Sequence, residues 1–218
     1  MAAVGLLAGV FAQLSPEYRR KLEQIASEVT LKKGRQLFAP GDTSRGFYVV
    51  REGAVRVYGM SPQGKEITQE IADQGSAFAL ASPFAGAYHC FAEALTDSRL
   101  YLIKQQEFLD LVTGDIRFAT EWMRLLSQMV IQLRRRLVDL TLKTPKARIA
   151  SYLLLLADMQ NSPSITLPVP RKDLAAFLGM THETFYRAAK ELANDGLVRF
   201  TGQKVDILER NLLAEMTA

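Results

Sequence analysis

Two hydrophobic patterns follow one another along the chain. Between residues 29 and 104, short runs such as FYVV, AVRVY and LYLI are rich in β-branched and aromatic residues, and glycine-bearing turns separate them. Runs of this kind are typical of antiparallel strands in a barrel or sandwich. After residue 105 the apolar residues recur at intervals of three and four, which is the period of an α-helix. The chain is therefore predicted to be α+β, with a compact strand domain followed by a long helix.

The long helix carries an apolar seam from Phe118 to Leu140, well beyond an average helix of about 11–12 residues. Such a stripe can pack on its own domain or pair with a second copy of the chain as a coiled coil, and we favour pairing. The residues assigned to the dimer interface are Trp122, Leu126, Met129, Leu133, Leu137 and Leu140. Thr144 and Pro145 interrupt the helix, because the residue before a proline is disfavoured in the α conformation. The predicted domains are residues 1–110 for the strand domain with its N-terminal helices, 111–142 for the dimerisation helix and 143–218 for a second small domain.

The most informative local motif is RKDLAAFLGMTHETFYRAAKELANDGLVRF, residues 171–200. It predicts a short helix, a tight turn at Gly179 and a second helix capped by Thr181. This order is typical of a helix-turn-helix. The following GLVRFTGQKVDIL adds a two-stranded wing with Gly202 at its turn. The second domain is therefore predicted to be a winged helix-turn-helix.

The outward face of the second helix carries side chains suited to reading DNA. Glu183 can accept a hydrogen bond from cytosine N4, and Arg187 can donate two to guanine O6 and N7. The same spacing elsewhere would be an ordinary surface ion pair, but within a helix-turn-helix we favour base reading. The predicted DNA-binding residues are Arg171, Lys172, Thr181, His182, Glu183, Thr184, Tyr186, Arg187 and Lys190. A twofold dimer would read half-sites about 34–36 Å apart.

Composition excludes several classes of protein. The 218 residues include one cysteine, which excludes an internal disulfide and an iron–sulfur cluster held by four cysteines of one chain. The net charge of +4 permits a polyanionic partner without requiring one. The apolar N-terminal run lacks the basic start of a signal peptide and is shorter than the roughly 20 residues of a membrane span. A cytoplasmic protein outside the membrane is expected.

These features together resemble the Crp/Fnr superfamily of bacterial transcription regulators. KKGRQLFAPGDTSRGFYVVREGAVRVYGMSPQGKEI is similar to the β-roll of that family and LAAFLGMTHETFYRAAKELANDGLV to its DNA-reading head, so the likeness covers essentially the whole chain. The resemblance implies a cyclic-nucleotide-binding-like β-roll, a long dimerisation helix and a winged helix-turn-helix. It also implies a regulator that is not an enzyme and that binds a promoter inverted repeat as a homodimer, with RNA polymerase as a further partner if it activates.

The ETFYR motif places Glu183 and Arg187 on the family's base-reading positions, which favours TTGA-like half-sites. Two residues close to Glu183 and Arg187 depart from the sequence pattern of the family. The family often has a small residue where Tyr186 stands, and its catabolite-type members have arginine where His182 stands.

The pocket segment GSAFALASPFAGAYHCFAEA departs from the cyclic-nucleotide-binding members of the family. Leu80 stands where they have a ribose-binding glutamate, and Tyr88 and His89 stand where they have a phosphate-binding Arg-Ser pair. Burying a phosphate without partners is costly, so cyclic AMP is not expected. A lone Cys90 also excludes the oxygen-sensing Fnr cluster. The resemblance that is left is to the heme-dependent, nitric-oxide-sensing Dnr and HcpR types.

His89 and Cys90 are the remaining candidates for chemistry. Neighbours on a strand point to opposite faces, so a shared metal or a nucleophile–base pair is not expected; zinc would also need about four ligands. His89 is either an axial heme ligand or a hydrogen-bonded, partly buried histidine, and Cys90 is interpreted as a small core residue. The predicted effector pocket consists of Phe78, Leu80, Phe84, Tyr88, His89 and Trp122.

Three functions stay open at this point. The first is a regulator that senses nitric oxide through heme, and the second is a regulator of the same fold with a non-heme organic effector. The third is an effector-binding interaction module whose helix-turn-helix contacts protein and not DNA.

Overall fold

The computed structural model describes residues 10–64 and 66–217. The chain divides into two compact units, and the division falls at Ile131–Gln132, inside the long helix. The sequence predicts a boundary after residue 142, whereas in the structure the last turns of that helix belong with the second unit. Among the described residues, no helix combines the length and apolar character of a membrane span.

The first unit consists of two antiparallel sheets with helices packed on one of them. Its elements are a 3₁₀ turn Val10–Gln13, α1 Pro16–Gln24, β1 Ala26–Leu31, β2 Gln36–Phe38, β3 Gly46–Glu52, β4 Val55–Met60, β5 Glu66–Ala72, β6 Ala77–Phe78, α2 Ser82–Ala85, β7 Phe91–Ala94, β8 Ser98–Lys104, α3 Gln105–Gly114 and the beginning of α4 Ile116–Leu142. The strand orders are β1-β8-β3-β6 and β2-β7-β4-β5. The antiparallel pairing confirms what the short runs and glycine turns predicted.

The sheet β1-β8-β3-β6 separates two hydrophobic cores. Along β3, Phe47 and Val49 face the helices, whereas Tyr48 and Val50 face the other sheet. This follows from the strand itself, because successive side chains point to opposite faces. We call the first the helix-side core (with members from α1, α3 and α4) and the second the inter-sheet core.

Asp115 separates α3 from the long helix α4. Its Oδ1 accepts hydrogen bonds from the backbone N–H groups of Arg117 and Phe118, both at 3.1 Å. These bonds satisfy donors that have no partner inside the helix. The bond from Phe118 is the main cause that lowers the pKa of Asp115, so the cap is an ionised carboxylate at neutral pH.

The second unit is a small domain that begins with the last turns of α4. It continues through α5 Pro145–Gln160, β9 Ser164–Thr166, α6 Arg171–Phe177, α7 His182–Asn194, β10 Val198–Thr201, β11 Lys204–Ile207 and α8 Arg210–Glu215. Thr144 caps α5 by accepting from the Ala147 N–H at 3.3 Å, which confirms the predicted helix break. The predicted wing is present as β10 and β11, and β9 joins it as a third strand in the order β10-β11-β9.

Candidate nucleic-acid interface and sensor site

Helix α7 is fixed by its start and by its buried face. Gly179 adopts φ +65°, which a residue without a β-carbon takes without strain. The Thr181 side chain then accepts from the Thr184 N–H at 3.2 Å and caps the helix. The buried residues of α7 are Phe185, Ala188, Ala189 and Leu192. Because they share one face of the helix, the opposite face is turned to solvent.

The solvent face of α7 carries the residues that the sequence assigned to DNA. Those that are exposed there are Thr181, His182, Glu183, Tyr186, Arg187 and Lys190, and Lys172 is exposed on α6. Hydrogen bonds from its own backbone N–H and from the Thr181 hydroxyl lower the pKa of Glu183. Glu183 is therefore an ionised acceptor at neutral pH, and Arg187, which is also exposed, lies four residues further along α7. Both residues predicted to read bases, Glu183 and Arg187, are therefore accessible to DNA.

Two predicted residues have other tasks in the structure. Thr184 is half-buried, with its backbone N–H used in the cap of α7. Arg171 donates from Nη2 to the Gly202 carbonyl oxygen at 2.6 Å, and its guanidinium lies 4.9 Å from the centre of the Phe200 ring. Arg171 thus ties the start of α6 to the wing turn.

A cleft of about 800 Å³ separates α7 from the wing. Arg171, Arg187, Lys190 and Arg199 line it together with apolar residues, and none of the lining residues is acidic. Sequence reasoning missed Arg199. The signal was the alternation along β10, where Val198 is buried and Arg199 is exposed. A groove of this charge suits the phosphates of a nucleic acid.

Comparison with known families decides what kind of protein carries this site. The cyclic nucleotide-binding domain family matches residues 28–115, and the Crp-like helix-turn-helix domain family matches residues 147–216. The chain belongs to the Crp/Fnr family of transcriptional regulators. The predictions of the fold and of a regulator that is not an enzyme are thereby confirmed.

Several known proteins are similar to this Crp/Fnr regulator over most of its length. Electron transport regulator A of Shewanella oneidensis is 25% identical over 221 residues, which cover 97% of this chain and 88% of that protein. The nitrogen fixation regulation protein FixK of Rhizobium meliloti is 27% identical over 190 residues, or 86% of this chain and 85% of that protein. The structure of FixK2 from Bradyrhizobium japonicum superimposes with a TM-score of 0.82 at 24% identity, over 89% of this chain and 98% of that chain.

The long helix of the regulator has two apolar stripes where the sequence suggested one seam. Phe118, Trp122 and Leu125 form the first stripe and are buried in the helix-side core. The second stripe alternates steps of three and four along α4 and consists of Met123, Leu126, Val130, Leu133 and Leu137. We call it the outer stripe. Its last three members are largely exposed, Val130 by 54%, Leu133 by 62% and Leu137 by 63%.

This division corrects the predicted dimer interface. Trp122 is 2% exposed and packs against aromatic rings of its own subunit, so it is not available to a partner. Leu126 and Met129 are partly buried against the helix-side core, and Leu140 packs beside Gly179. The outer stripe also includes Met123 and Val130, which are not among the predicted interface residues. Its heptad spacing is the pattern of a coiled-coil seam.

The predicted effector residues of the regulator do not come together. Phe78 and Tyr88 lie in the inter-sheet core, whereas Leu80 and Trp122 lie in the helix-side core. The remaining two, Phe84 and His89, are exposed. The pocket was predicted from one contiguous segment, but that segment crosses the sheet that separates the two cores.

An axially ligated heme does not fit this arrangement. The ligand imidazole would have to face a cavity, but His89 is exposed just before β7, and Tyr88 beside it is buried. Cys90 is half-buried and packs against the inter-sheet core, where burial raises the pKa of its thiol. Within residues 10–64 and 66–217, no group of three or more His, Cys, Asp or Glu side chains is placed to hold a metal ion.

Aromatic side chains fill the inter-sheet core instead. The rings of Phe38 and Tyr88 stack with centres 3.8 Å apart and an angle of 7° between their planes. Tyr48 and Phe78 continue the layer, with centres 5.4 Å apart. The Tyr88 hydroxyl donates to the Gly46 carbonyl oxygen and accepts from the Arg45 N–H, both at 3.1 Å. Tyr88 therefore has both its ring and its hydroxyl satisfied within the chain.

Proposed function

We propose that this regulator binds promoter DNA as a homodimer, with the α7 helix of each subunit in the major groove of one half of an inverted repeat. The observation that carries the proposal is the capped helix α7, which buries one face and presents Glu183 and Arg187 on the other. A regulator of this kind works in the cytoplasm on chromosomal DNA. If it activates transcription, RNA polymerase is a further partner.

Different residues contact the DNA bases and the DNA phosphates in this proposal. Glu183 accepts from cytosine N4 and Arg187 donates to guanine O6 and N7, which suits the G·C pair of a TTGA-like half-site. Lys190 and Arg199 are exposed cations that line the cleft, and Lys172 is exposed on α6; these three contact phosphates in the proposed complex. Phosphate contacts position the protein without reading sequence.

The test of the proposal is binding to two labelled duplexes of equal length and composition. One carries the TTGA-containing inverted repeat, with half-site centres one helical turn apart, and the other carries a scrambled sequence. Fluorescence anisotropy at several salt concentrations should show tighter binding to the repeat and a steep fall of affinity with salt. Equal binding to both duplexes would contradict the proposal. A module that contacts only protein would show no binding to either.

Dimerisation through the outer stripe is tested by charge. Leu133→Glu should weaken self-association more than tenfold, because a dimer seam would bury two unpaired carboxylates facing each other. Arg135→Glu also adds negative charge, at an exposed position on the side of α4 away from the outer stripe, and should leave the dimer intact. Sedimentation equilibrium of the wild type and both variants gives the dissociation constants. A Leu133→Glu protein that sediments as the wild type does would show that the seam lies elsewhere.

Heme-based sensing of nitric oxide, as in the Dnr and HcpR types, remains a hypothesis that these contacts do not support. The candidate ligand His89 is exposed, and the residues assigned to the pocket lie in two separate cores. An absorption spectrum after addition of hemin decides the matter. A Soret band that is present in the wild type and absent in His89→Ala would restore the hypothesis.

A further inference from the structure

Two guanidinium groups hold the turn of the helix-turn-helix. Arg136 Nη2 donates to the carbonyl oxygen of Phe177 at 2.9 Å. Arg148 Nη1 donates to the carbonyl oxygens of Leu178 at 2.9 Å and of Gly179 at 3.2 Å. The last carbonyls of a helix have no partner within the helix, and positive charge is favourable there. Three consecutive carbonyls at the end of α6 are thus satisfied from outside the motif.

Arg136 differs from Arg148 in coming from the long helix. Its guanidinium also lies 4.0 Å from the centre of the Phe177 ring, so it stacks on the residue whose carbonyl it binds. One turn further along α4, the Cδ2 atom of Leu140 lies 2.8 Å from the position that a β-carbon on Gly179 would take. Residues four apart share a helix face. The end of α4 therefore touches the turn through one charged and one apolar side chain of the same face.

We propose that Arg136 is a positioning residue for base reading. It fixes the turn from which α7 starts, and it makes the last turns of the long helix part of the reading head. The inference rests on the proposed function. Arg136 and Leu140 both follow Ile131–Gln132, where the two compact units divide. A change in the long helix reaches α7 through Arg136 as well as along the backbone through α5.

The position of α7 affects the two kinds of DNA contact differently. Thr181, which caps α7, follows Gly179 by two residues, so movement of the turn moves the N-terminal end of the reading helix. Bidentate bonds to base edges require a fixed geometry, whereas flexible lysines can reach phosphates from many positions. Loss of the Arg136 contacts should therefore lower specific binding more than non-specific binding.

The experiment compares Arg136→Gln, Arg136→Lys and the matched control Arg135→Gln in the full-length protein. Arg135 is the neighbouring residue on α4 and is exposed, so its replacement removes the same charge without touching the turn. Anisotropy gives the dissociation constants for the repeat and for the scrambled duplex at one salt concentration, and the measured quantity is their ratio. We expect Arg136→Gln to lower this specificity ratio about tenfold. Arg136→Lys should lower it less, because it retains the charge but not the planar stack on Phe177. Arg135→Gln should leave the ratio unchanged.

The outcomes separate this inference from the proposed function. The inference alone is overturned if Arg136→Gln has the same specificity ratio as the wild type. It is also overturned if Arg135→Gln lowers that ratio as much as Arg136→Gln does. Equal binding of both duplexes by the wild type overturns the proposed function and the inference with it. Thermal unfolding shows whether each variant is folded. If Arg136→Gln is not folded, the ratio for Arg136→Lys decides, since a lowered ratio supports the inference and an unchanged one overturns it.

Discussion

Arg187→Ala should cost about 1–3 kcal/mol of specific binding at each half-site, which is roughly a five- to 150-fold loss in affinity. The reason is that the variant removes two hydrogen bonds to guanine and leaves the base edge without a partner. Because a dimer uses two half-sites, the loss on the complete inverted repeat should be larger still. Anisotropy titration on the inverted repeat and on a repeat with a substituted guanine measures both the loss of affinity and the loss of base preference.

Lys190→Ala is the matched control for this prediction. Lys190 is exposed on the same helix and lines the cationic cleft. If Lys190 contacts a phosphate, Lys190→Ala should weaken binding to all sequences about equally and reduce the salt dependence of binding. If Arg187→Ala behaves in the same way, with equal loss on the repeat and on a scrambled duplex, Arg187 binds phosphate and the assignment of base reading is wrong.

Tyr88→Ala should destabilise the first unit by about 3–5 kcal/mol, since truncation of a buried aromatic side chain leaves a cavity. Tyr88 is 2% exposed and stacks on Phe38. The exposed Phe84 (53% exposed) is the matched control, and Phe84→Ala should change stability by no more than about 0.5 kcal/mol. The single tryptophan, Trp122, lies in the helix-side core, so its fluorescence during denaturant unfolding reports on this unit.

A second substitution at the same position separates packing from hydrogen bonding. Tyr88→Phe keeps the stacked ring but leaves the Gly46 carbonyl and the Arg45 N–H without their partner. The expected cost is about 1–3 kcal/mol. A Tyr88→Ala protein as stable as Phe84→Ala would show that the inter-sheet core is not closed by this ring, and the pocket would again be open to an effector.

The helix-turn-helix could be predicted from the sequence almost residue by residue, because its determinants are local. Gly179 marks the turn and Thr181 the cap, and the apolar residues of α7 follow the helical period. All of these signals lie within one short segment. The wing was predicted for the same reason, from two strand-like runs on either side of Gly202.

The sensor site could not be predicted in this way, because it depends on which side of a sheet each residue faces. The segment from Phe78 to His89 contributes to both cores and to the surface. Only the pairing of β6 with β3 determines that Phe78 faces Tyr48 while Ala77 faces the helices. That pairing joins residues far apart in the chain, and the sequence pattern does not specify it.

The long helix presents a related ambiguity. A period of 3.6 residues accommodates two apolar stripes on one helix, and both are present in α4. The helical spacing alone places Trp122 and Leu133 in a single seam, although Trp122 is buried in its own subunit and Leu133 is 62% exposed. The location of the sheet, and not the helical pattern, decides which stripe is covered.

Strand β3 has a practical consequence for anyone who labels or redesigns this regulator. From Gly46 to Val50, five consecutive positions are buried, since one side chain faces each core in turn. A polar tag or a fluorophore attached anywhere in that run would meet hydrocarbon on whichever side it pointed. The β4–β5 hairpin is a safer place for attachment, because Met60 there is 50% exposed and a dye could stand in water.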